Sequence, residues 1–157
     1  MSEKTQPDAI VAINAPVETG TLYPGPFRER VAGREKRRLG QVFGLKNFGV
    51  NITRLPVGSM SSLRHRHLRQ DEFIYVLEGT PVLITDRGET ALAPGSCAGF
   101  PAGGVAHHLL NRGPGVAVYL EIGDRSAGDA VEYPDDDLAI SFADGRARVT
   151  RKDGTSY

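Results

Sequence analysis

The sequence of 157 residues has no tryptophan, a single cysteine and only 7% aromatic residues. One cysteine, Cys97, excludes an intrachain disulfide and suits a reducing compartment. No apolar run approaches the roughly 20 residues that a membrane-spanning helix requires. The polar start, MSEKTQPDAI, lacks the apolar segment of a signal peptide. We therefore expect a soluble, cytoplasmic protein with no membrane partner.

The sequence also lacks an excess of either charge, because 19 lysines and arginines balance 19 acidic residues. A neutral chain has no global field that would attract nucleic acid or anionic lipid, so we expect no nucleic-acid partner. The charge is uneven, however: six basic residues crowd residues 28–38, and three aspartates form residues 135–137. These segments are either solvated surface or a basic arm that meets an acidic tail, within one chain or across a dimer.

Sustained helical periodicity is absent, whereas 19 glycines and 10 prolines suit short strands joined by tight turns. The sequence predicts an all-β fold, a double-sheet jelly-roll barrel, with residues 1–40 as an N-terminal arm and 41–157 as the barrel domain. Residues 25–39 have room for one short helical turn. The predicted strands are 41–44, 48–55, 60–67, 72–78, 81–86, 89–93, 96–100, 106–111, 115–123, 137–142 and 146–151.

All four histidines lie in two short segments, 65–67 and 107–108. Residues i and i+2 of a strand share a face, so His65 and His67 project side by side. Glu72 opens the next apolar strand, where a carboxylate is costly unless it is paired or binds a cation. With His107 as a third nitrogen, these groups fill four positions around a divalent ion, and a six-coordinate metal keeps two positions for water or substrate.

Two sequence motifs resemble those of the cupin superfamily, G-x5-H-x-H-x(3,4)-E-x6-G and G-x5-P-x-G-x2-H-x3-N. The first reads Gly58-SMSSLR-His65-R-His67-LRQD-Glu72-FIYVLE-Gly79, with one extra residue before His65. The second reads Gly95-SCAGF-Pro101-A-Gly103-GVA-His107-HLL-Asn111, with one extra residue after Gly103. The resemblance covers residues 58–111, and the flanking strands suit the same fold.

This resemblance implies one divalent metal ion, Zn, Mn, Fe or Ni, held by His65, His67, Glu72 and His107. His107 is preferred to His108 because His107 precedes Asn111 by four residues, as the motif requires. Asp71 competes with Glu72 as the carboxylate, but it starts the strand on the opposite face. Cys97 is interpreted as a small buried residue.

The sequence does not identify catalytic residues. Periodicity alone leaves open which of several pocket candidates face inward, and these are Asn51, Arg54, Tyr75, Phe100, Tyr119 and Glu121.

The sequence looks like the small single-domain bacterial cupins that are grouped with phosphomannose isomerase. The resemblance implies a metal-dependent enzyme, isomerase-like, that acts on a small oxygen-rich molecule such as a sugar or sugar phosphate. Lyase or decarboxylase chemistry, an iron-dependent dioxygenase and a non-catalytic small-ligand sensor remain alternatives. Because cupins commonly form dimers, the resemblance also implies a homodimer.

Overall fold

The fold is described by a computed structural model over residues 6–157, which form antiparallel sheets linked by short turns. Its α-helices are α1 (Gly25–Arg28) and α2 (Leu39–Val42), and 3-10 turns span Ala12–Asn14 and Glu29–Val31. No helix in this part of the chain is long and apolar enough to cross a membrane. The strands are β1 (Glu35–Arg38), β2 (Phe48–Leu55), β3 (Arg66–His67), β4 (Glu72–Glu78), β5 (Val82–Thr85), β6 (Gly88–Ala91), β7 (Cys97–Phe100), β8 (His107–Leu110), β9 (Ala117–Asp124), β10 (Ala130–Glu132), β11 (Ala139–Ala143) and β12 (Arg146–Thr150).

Three sheets make up the barrel, in the orders β1-β2-β9-β4-β7, β12-β11-β10-β3 and β6-β5-β8. The predicted jelly-roll architecture is confirmed. Strand β4 shows why the chain folds this way, because Ile74 and Val76 are buried whereas Phe73, Tyr75 and Leu77 are exposed on the other face. Asp144 and Gly145, both with positive φ, form the tight turn between β11 and β12.

The interior contains two apolar clusters at different ends of the barrel. One lies behind the five-stranded sheet, and its members are Leu55, Ile74, Val76, Leu92, Phe100, Leu109, Ala117 and Tyr119. The other joins the four-stranded sheet to the N-terminal residues, and its members are Tyr23, Val31, Leu63, Val131, Tyr133, Leu138 and Ile140. Polar side chains of the site occupy the space between these clusters.

The N-terminal segment packs against the barrel from residue 15 onward. Ala15 and Tyr23 are buried, and the backbones of Glu18 and Lys36 exchange two hydrogen bonds of 2.8 and 2.9 Å. Strand β1 pairs with β2 at the edge of the five-stranded sheet, opposite Asn51 to Arg54. The division of the chain at residue 40 stays a prediction, since β1 lies on its N-terminal side.

Several predicted elements differ from the structure. The strand predicted at 41–44 is wrong, because residues 41 and 42 belong to α2 and residues 43 and 44 form the turn that follows it, where Gly44 has a φ of 64°. Gly40 permits the close approach of this turn to β2, since a Cβ there would lie 3.3 Å from the Val50 nitrogen. The predicted strand 60–67 shortens to β3, with isolated bridges at Met60 and His65. The helical turn expected within 25–39 is confirmed by α1.

Two surface predictions also have clear outcomes. Cys97 is exposed rather than buried, because it lies opposite Tyr75 on the outer face of the sheet. The basic segment does meet the acidic run within the chain, since Arg30 donates a hydrogen bond to Asp136. Asp135 pairs instead with Arg64, at 2.7 Å.

Candidate metal centre

Strands from three different sheets bring the four predicted ligands together. His67 lies in β3, His65 precedes it and bridges His107 at the start of β8, and Glu72 opens β4. Arg66 alternates outward between the two histidines and donates a 2.7 Å hydrogen bond to Glu132. The i, i+2 spacing therefore directs both imidazoles to the interior, as expected for a strand.

The carboxylate of Glu72 is the common point of contact for three imidazoles. His107 Nε2 lies 3.0 Å and His65 Nε2 3.4 Å from Glu72 Oε2, and His67 Nε2 lies 3.6 Å from Oε1. Ligand atoms of His65, His67 and Glu72 all lie within 4.8 Å of one another. His107 stands outside this group of three, although it makes the shortest contact to Glu72.

The opposite ring nitrogens face hydrogen-bond acceptors, which determines the tautomers. His67 Nδ1 lies 2.5 Å from Asp129 Oδ2, and His65 Nδ1 lies 2.9 Å from the Leu63 carbonyl oxygen. His107 Nδ1 faces the Val105 carbonyl oxygen at 3.5 Å. An Nδ1 that donates to such an acceptor leaves a lone pair on Nε2 in the neutral ring. Three lone pairs therefore point toward the Glu72 carboxylate.

This arrangement fits a divalent cation. Acceptors that face one another repel unless a proton or a metal ion lies between them, and Glu72 Oε2 is buried without a well-aligned hydrogen bond. Burial disfavours the charged form of Glu72, but His107 and His65 outweigh it and hold the pKa of that carboxyl well below its usual range. Burial likewise opposes charging of His65, yet Glu72 raises the pKa of its imidazole. Three imidazoles and one carboxylate are a common ligand set for Zn, Mn, Fe and Ni.

The two rejected ligand candidates lie away from this cluster. His108 alternates to the other side of β8, where its Nδ1 lies 3.0 Å from the Ser62 carbonyl oxygen and burial lowers its pKa. Asp71 is exposed and accepts a 2.7 Å hydrogen bond from the Ala102 amide. The structure thus brings His107 and Glu72 to the cluster.

Sequence reasoning missed Asp129, which orients His67. Its side chain is buried, accepts from His67 through Oδ2, and accepts from the Arg69 amide at 2.9 Å through Oδ1. A buried carboxylate behind a ligating histidine fixes both the tautomer and the ring orientation. Asp129 precedes a three-residue strand and belongs to neither motif.

Aromatic rings pack against the imidazoles of His65 and His107. Phe100 stacks on His107 with ring planes 2° apart, and Tyr133 stacks on His65 at 6.0 Å between centroids. These contacts restrict the rotation of both histidines. Of the pocket candidates, Phe100 therefore faces the site.

The histidines and Glu72 open into a cavity of about 330 Å³. Tyr119 and Glu121 of β9 line this cavity, whereas Tyr75 and Arg54 face outward. Glu121 Oε1 accepts hydrogen bonds from Lys36 Nζ at 2.8 Å and from Asn51 Nδ2 at 3.1 Å. Burial favours the neutral form of Glu121, but the Lys36 ammonium outweighs burial and lowers the pKa of the carboxyl.

The N-terminal residues complete the cavity wall. Strand β1 contributes Lys36 and Arg38, and the residue before it, Arg34, points the same way. Gly20 to Tyr23 close the same side. The cavity therefore carries a histidine–carboxylate cluster on one side and cationic side chains on another.

Comparisons with known proteins agree with this fold and site. The family model described as Cupin domain matches residues 51–123. A sugar phosphate isomerase of the cupin superfamily from Silicibacter pomeroyi is 39% identical, with a TM-score of 0.90 over 95% of this chain and 96% of that chain. A protein given provisionally as a sugar phosphate isomerase, from Acidithiobacillus ferrooxidans, is 28% identical, with a TM-score of 0.74 over 82% and 81%.

A more distant structure shares the fold alone. A predicted oxalate decarboxylase from Thermotoga maritima is 18% identical, with a TM-score of 0.60 over 75% of this chain and 99% of that chain. No curated protein matches the sequence. An antiparallel jelly-roll barrel with a histidine–glutamate cluster in its cavity is typical of the cupin class, and this chain belongs to the cupin superfamily.

Proposed function

We propose that this protein is a metal-dependent isomerase of a small oxygen-rich molecule, a sugar or a sugar phosphate. The observation that carries the proposal is the convergence of His65, His67, Glu72 and His107 on one side of a cavity of about 330 Å³. The names of the relatives from Silicibacter pomeroyi and Acidithiobacillus ferrooxidans favour this substrate class.

These four residues would hold one divalent ion, whose Lewis acidity polarises a substrate carbonyl and acidifies the neighbouring C–H. Aldose–ketose isomerisation moves one proton between adjacent carbons and a second proton between the oxygens that they carry. A single carboxylate can accept and return the first, and the second passes between the neighbouring hydroxyl and carbonyl oxygens of the substrate. Glu121 suits this role because it lines the cavity and its lowered pKa keeps it ionised at neutral pH. Lys36 and Asn51 fix its position. Phe100 and Tyr133 shield the histidines from water.

The first experiment is elemental analysis of untagged protein purified without chelators, together with proton NMR of aldose and ketose substrates in D2O. We expect about one Mn, Ni or Zn ion per chain, with isomerisation and deuterium incorporation at the carbon beside the carbonyl. His65→Ala combined with His67→Ala should remove both the metal and the activity but leave a folded β protein. Arg66→Ala, which changes the residue between them, is the matched control.

Other results would favour the alternative functions. Iron with substrate-dependent oxygen consumption would indicate a dioxygenase. Stoichiometric metal with ligand binding but no turnover would indicate a sensor. Retention of stoichiometric metal by the double histidine variant would contradict the assigned ligands.

The protein is also proposed to act as a homodimer in a reducing, cytoplasmic environment. Phe73, Tyr75 and Leu77 project from one face of β4 and are each about 40% exposed. Strand β9 adds Leu120 and Ile122 beside them, in register with Tyr75 and Phe73. A contiguous apolar sheet face is typical of an interface between subunits.

A further inference from the structure

The cationic wall of the cavity has one member whose charge no carboxylate neutralises. Among the described residues, Lys36 pairs with Glu121 and Arg38 pairs with Glu18, at 2.8 and 2.6 Å, whereas Arg34 has no acidic partner within 4.0 Å. A guanidinium in a cavity without a counterion is a ready partner for an anionic ligand.

Arg34 is nevertheless held in place. Its Nη1 donates to the Ser61 carbonyl oxygen, and its Nη2 lies 3.4 Å from the Gly20 carbonyl oxygen. These contacts connect the N-terminal segment to the segment that leads to His65. They use two of the five N–H donors of the guanidinium, and the others remain available to a ligand. Because the planar guanidinium of Arg34 is already held in one orientation, it loses little conformational entropy when it binds an oxyanion.

The direction of β1 explains why the charge lies in the cavity. Residues 34, 36 and 38 share the inward face, whereas Glu35 and Arg37 point away. Arg34 lines the same cavity as Tyr23 and Tyr119. Burial raises the pKa of both tyrosines, and Arg34 acts against that increase.

Arg34 lines the same cavity as the histidines. Two further residues of that cavity wall are aromatic: Tyr23 packs edge-on against Tyr133 at 5.7 Å, and Tyr133 stacks on His65 at 6.0 Å. A ligand that places oxygens at the histidines can therefore extend through the cavity toward Arg34.

We propose that Arg34, with Lys36 and Arg38 beside it, forms a subsite for the phosphate group of a phosphorylated substrate. The proposal rests on the proposed function, because it selects sugar phosphates over free sugars at the same cavity. Phosphate suits the subsite better than a carboxylate does, since a dianion gains more from the unpaired guanidinium of Arg34 than a monoanion does. It also gives the N-terminal segment, which lies outside the matched family region, a role in substrate binding.

The test measures inorganic phosphate binding by calorimetry at constant ionic strength, in protein of known metal content, with acetate as the carboxylate probe. Arg34→Met should weaken phosphate binding about tenfold or more, the loss expected for a charge-assisted hydrogen bond. Arg37→Met is the matched control, because Arg37 also donates to a backbone carbonyl, that of Ala15, but on the outer side of β1. It should leave phosphate affinity unchanged. Equal affinity in Arg34→Met and wild type, or tighter binding of acetate than of phosphate, would overturn the subsite.

A second measurement on wild-type protein covers the case in which Arg34→Met does not fold. Phenylglyoxal modifies accessible arginines, and mass spectrometry locates the sites. Phosphate should slow modification of Arg34 but not that of Arg37, and equal rates with and without phosphate would contradict the proposal.

The same data separate this proposal from the proposed function. Metal-dependent isomerisation of unphosphorylated sugars without phosphate binding at Arg34 removes the subsite and keeps the isomerase. Phosphate binding at Arg34 in protein that neither holds metal nor isomerises sugars keeps the subsite and removes the isomerase.

Discussion

At the scale of single residues, the candidate centre depends on a carboxylate that is not a proposed ligand. Asp129→Asn keeps an oxygen for the Arg69 amide but replaces the negative acceptor that faces His67 Nδ1. We expect metal affinity to fall about 10- to 100-fold, with the fold retained, as for other partners of ligating histidines. Competition with a chelating dye measures the affinity. Glu132→Gln is the control, because Glu132 lies opposite Arg66 in the same pair of strands and accepts its hydrogen bond on the outer side. An equal effect of both variants would exclude a specific role for Asp129.

The two adjacent histidines of β8 give a sharper test of the ligand set. His107 Nε2 lies 3.0 Å from Glu72, whereas His108 faces the Ser62 carbonyl oxygen. His107→Ala should therefore weaken metal binding far more than His108→Ala does. Metal content after dialysis against a weak chelator distinguishes the two, and the reverse order would show that the second motif is misplaced by one residue.

The ligand candidates were predictable from the sequence, and their environment was not. His65, His67, Glu72 and His107 stand at fixed spacings on strands, where alternation determines the direction of each side chain. Asp129 reaches His67 across 62 residues, and one aspartate among 19 acidic residues carries no local signal. Glu121 and Lys36 meet only because β1 and β9 flank β2 in the same sheet.

The Lys36–Glu121 pair, whose side chains are 18% and 22% exposed, should contribute to the free energy of unfolding in a way that depends on pH. In the wild type the pKa of Glu121 lies below its usual value, so the pair stabilises the fold above about pH 4.3, and this stabilisation is lost as the pH falls. In Lys36→Met, burial and the charge of Glu72 are opposed only by the Asn51 hydrogen bond, so we expect the folded-state pKa of Glu121 to rise above that of the unfolded chain. The variant therefore regains stability relative to the wild type as the pH decreases.

We expect Lys36→Met to lower the free energy of unfolding by about 2–3 kcal/mol at pH 7.5, with a smaller difference at pH 4.5. Urea denaturation at both pH values measures this change. Lys46→Met, at an exposed position, should have little effect at either pH. An equal loss at both pH values would mean that Glu121 is not the group that Lys36 keeps ionised.

At the scale of secondary-structure elements, turns position the strands that carry the site. Gly79, at φ 76°, ends β4, and a Cβ there would lie 2.6 Å from the Val116 carbonyl oxygen. Gly58 has a similar φ of 82°, but nothing lies within 4 Å of its Cβ position. In both alanine variants a side chain must adopt a left-handed backbone conformation, which lowers stability. Only Gly79→Ala also introduces a clash with neighbouring backbone atoms. We expect Gly79→Ala to be about 2 kcal/mol less stable than Gly58→Ala in thermal or urea unfolding, and equal losses would contradict this geometry.

The apolar strands were easier to predict than the polar ones. Strands such as β4 and β9 are short apolar runs bounded by turn residues, a pattern typical of strands, and their burial alternates where one face meets the core. Strand β1 reads Glu-Lys-Arg-Arg and has no apolar period, because its inward face lines the cavity rather than packing into the apolar core. The charged residues of β1, which made the strand unrecognisable in the sequence, support its proposed role in binding an anion.

At the scale of the whole molecule, the outer face of the five-stranded sheet determines the expected assembly. A face that carries Phe73, Tyr75 and Leu77 gains stability when it excludes water, at about 25 cal/mol per Å² of apolar surface. An ionised side chain in the middle of that face would have to be desolvated in the interface, which costs several kcal/mol. Tyr75→Glu should therefore dissociate the dimer without unfolding the barrel, since Tyr75 is 40% exposed in the single chain.

Light scattering coupled to size-exclusion chromatography tests the assembly directly. The wild type should have twice the chain mass of 16.9 kDa, and Tyr75→Glu should approach the mass of one chain. Val57→Glu introduces the same charge at another exposed apolar residue, which follows β2, and should leave the dimer intact. A monomeric wild type would contradict the homodimer. Loss of the dimer in both variants would mean that added charge, rather than this sheet face, controls association.

Because the outer face and the metal-binding face lie on opposite sides of β4, dissociation by Tyr75→Glu should leave metal content unchanged.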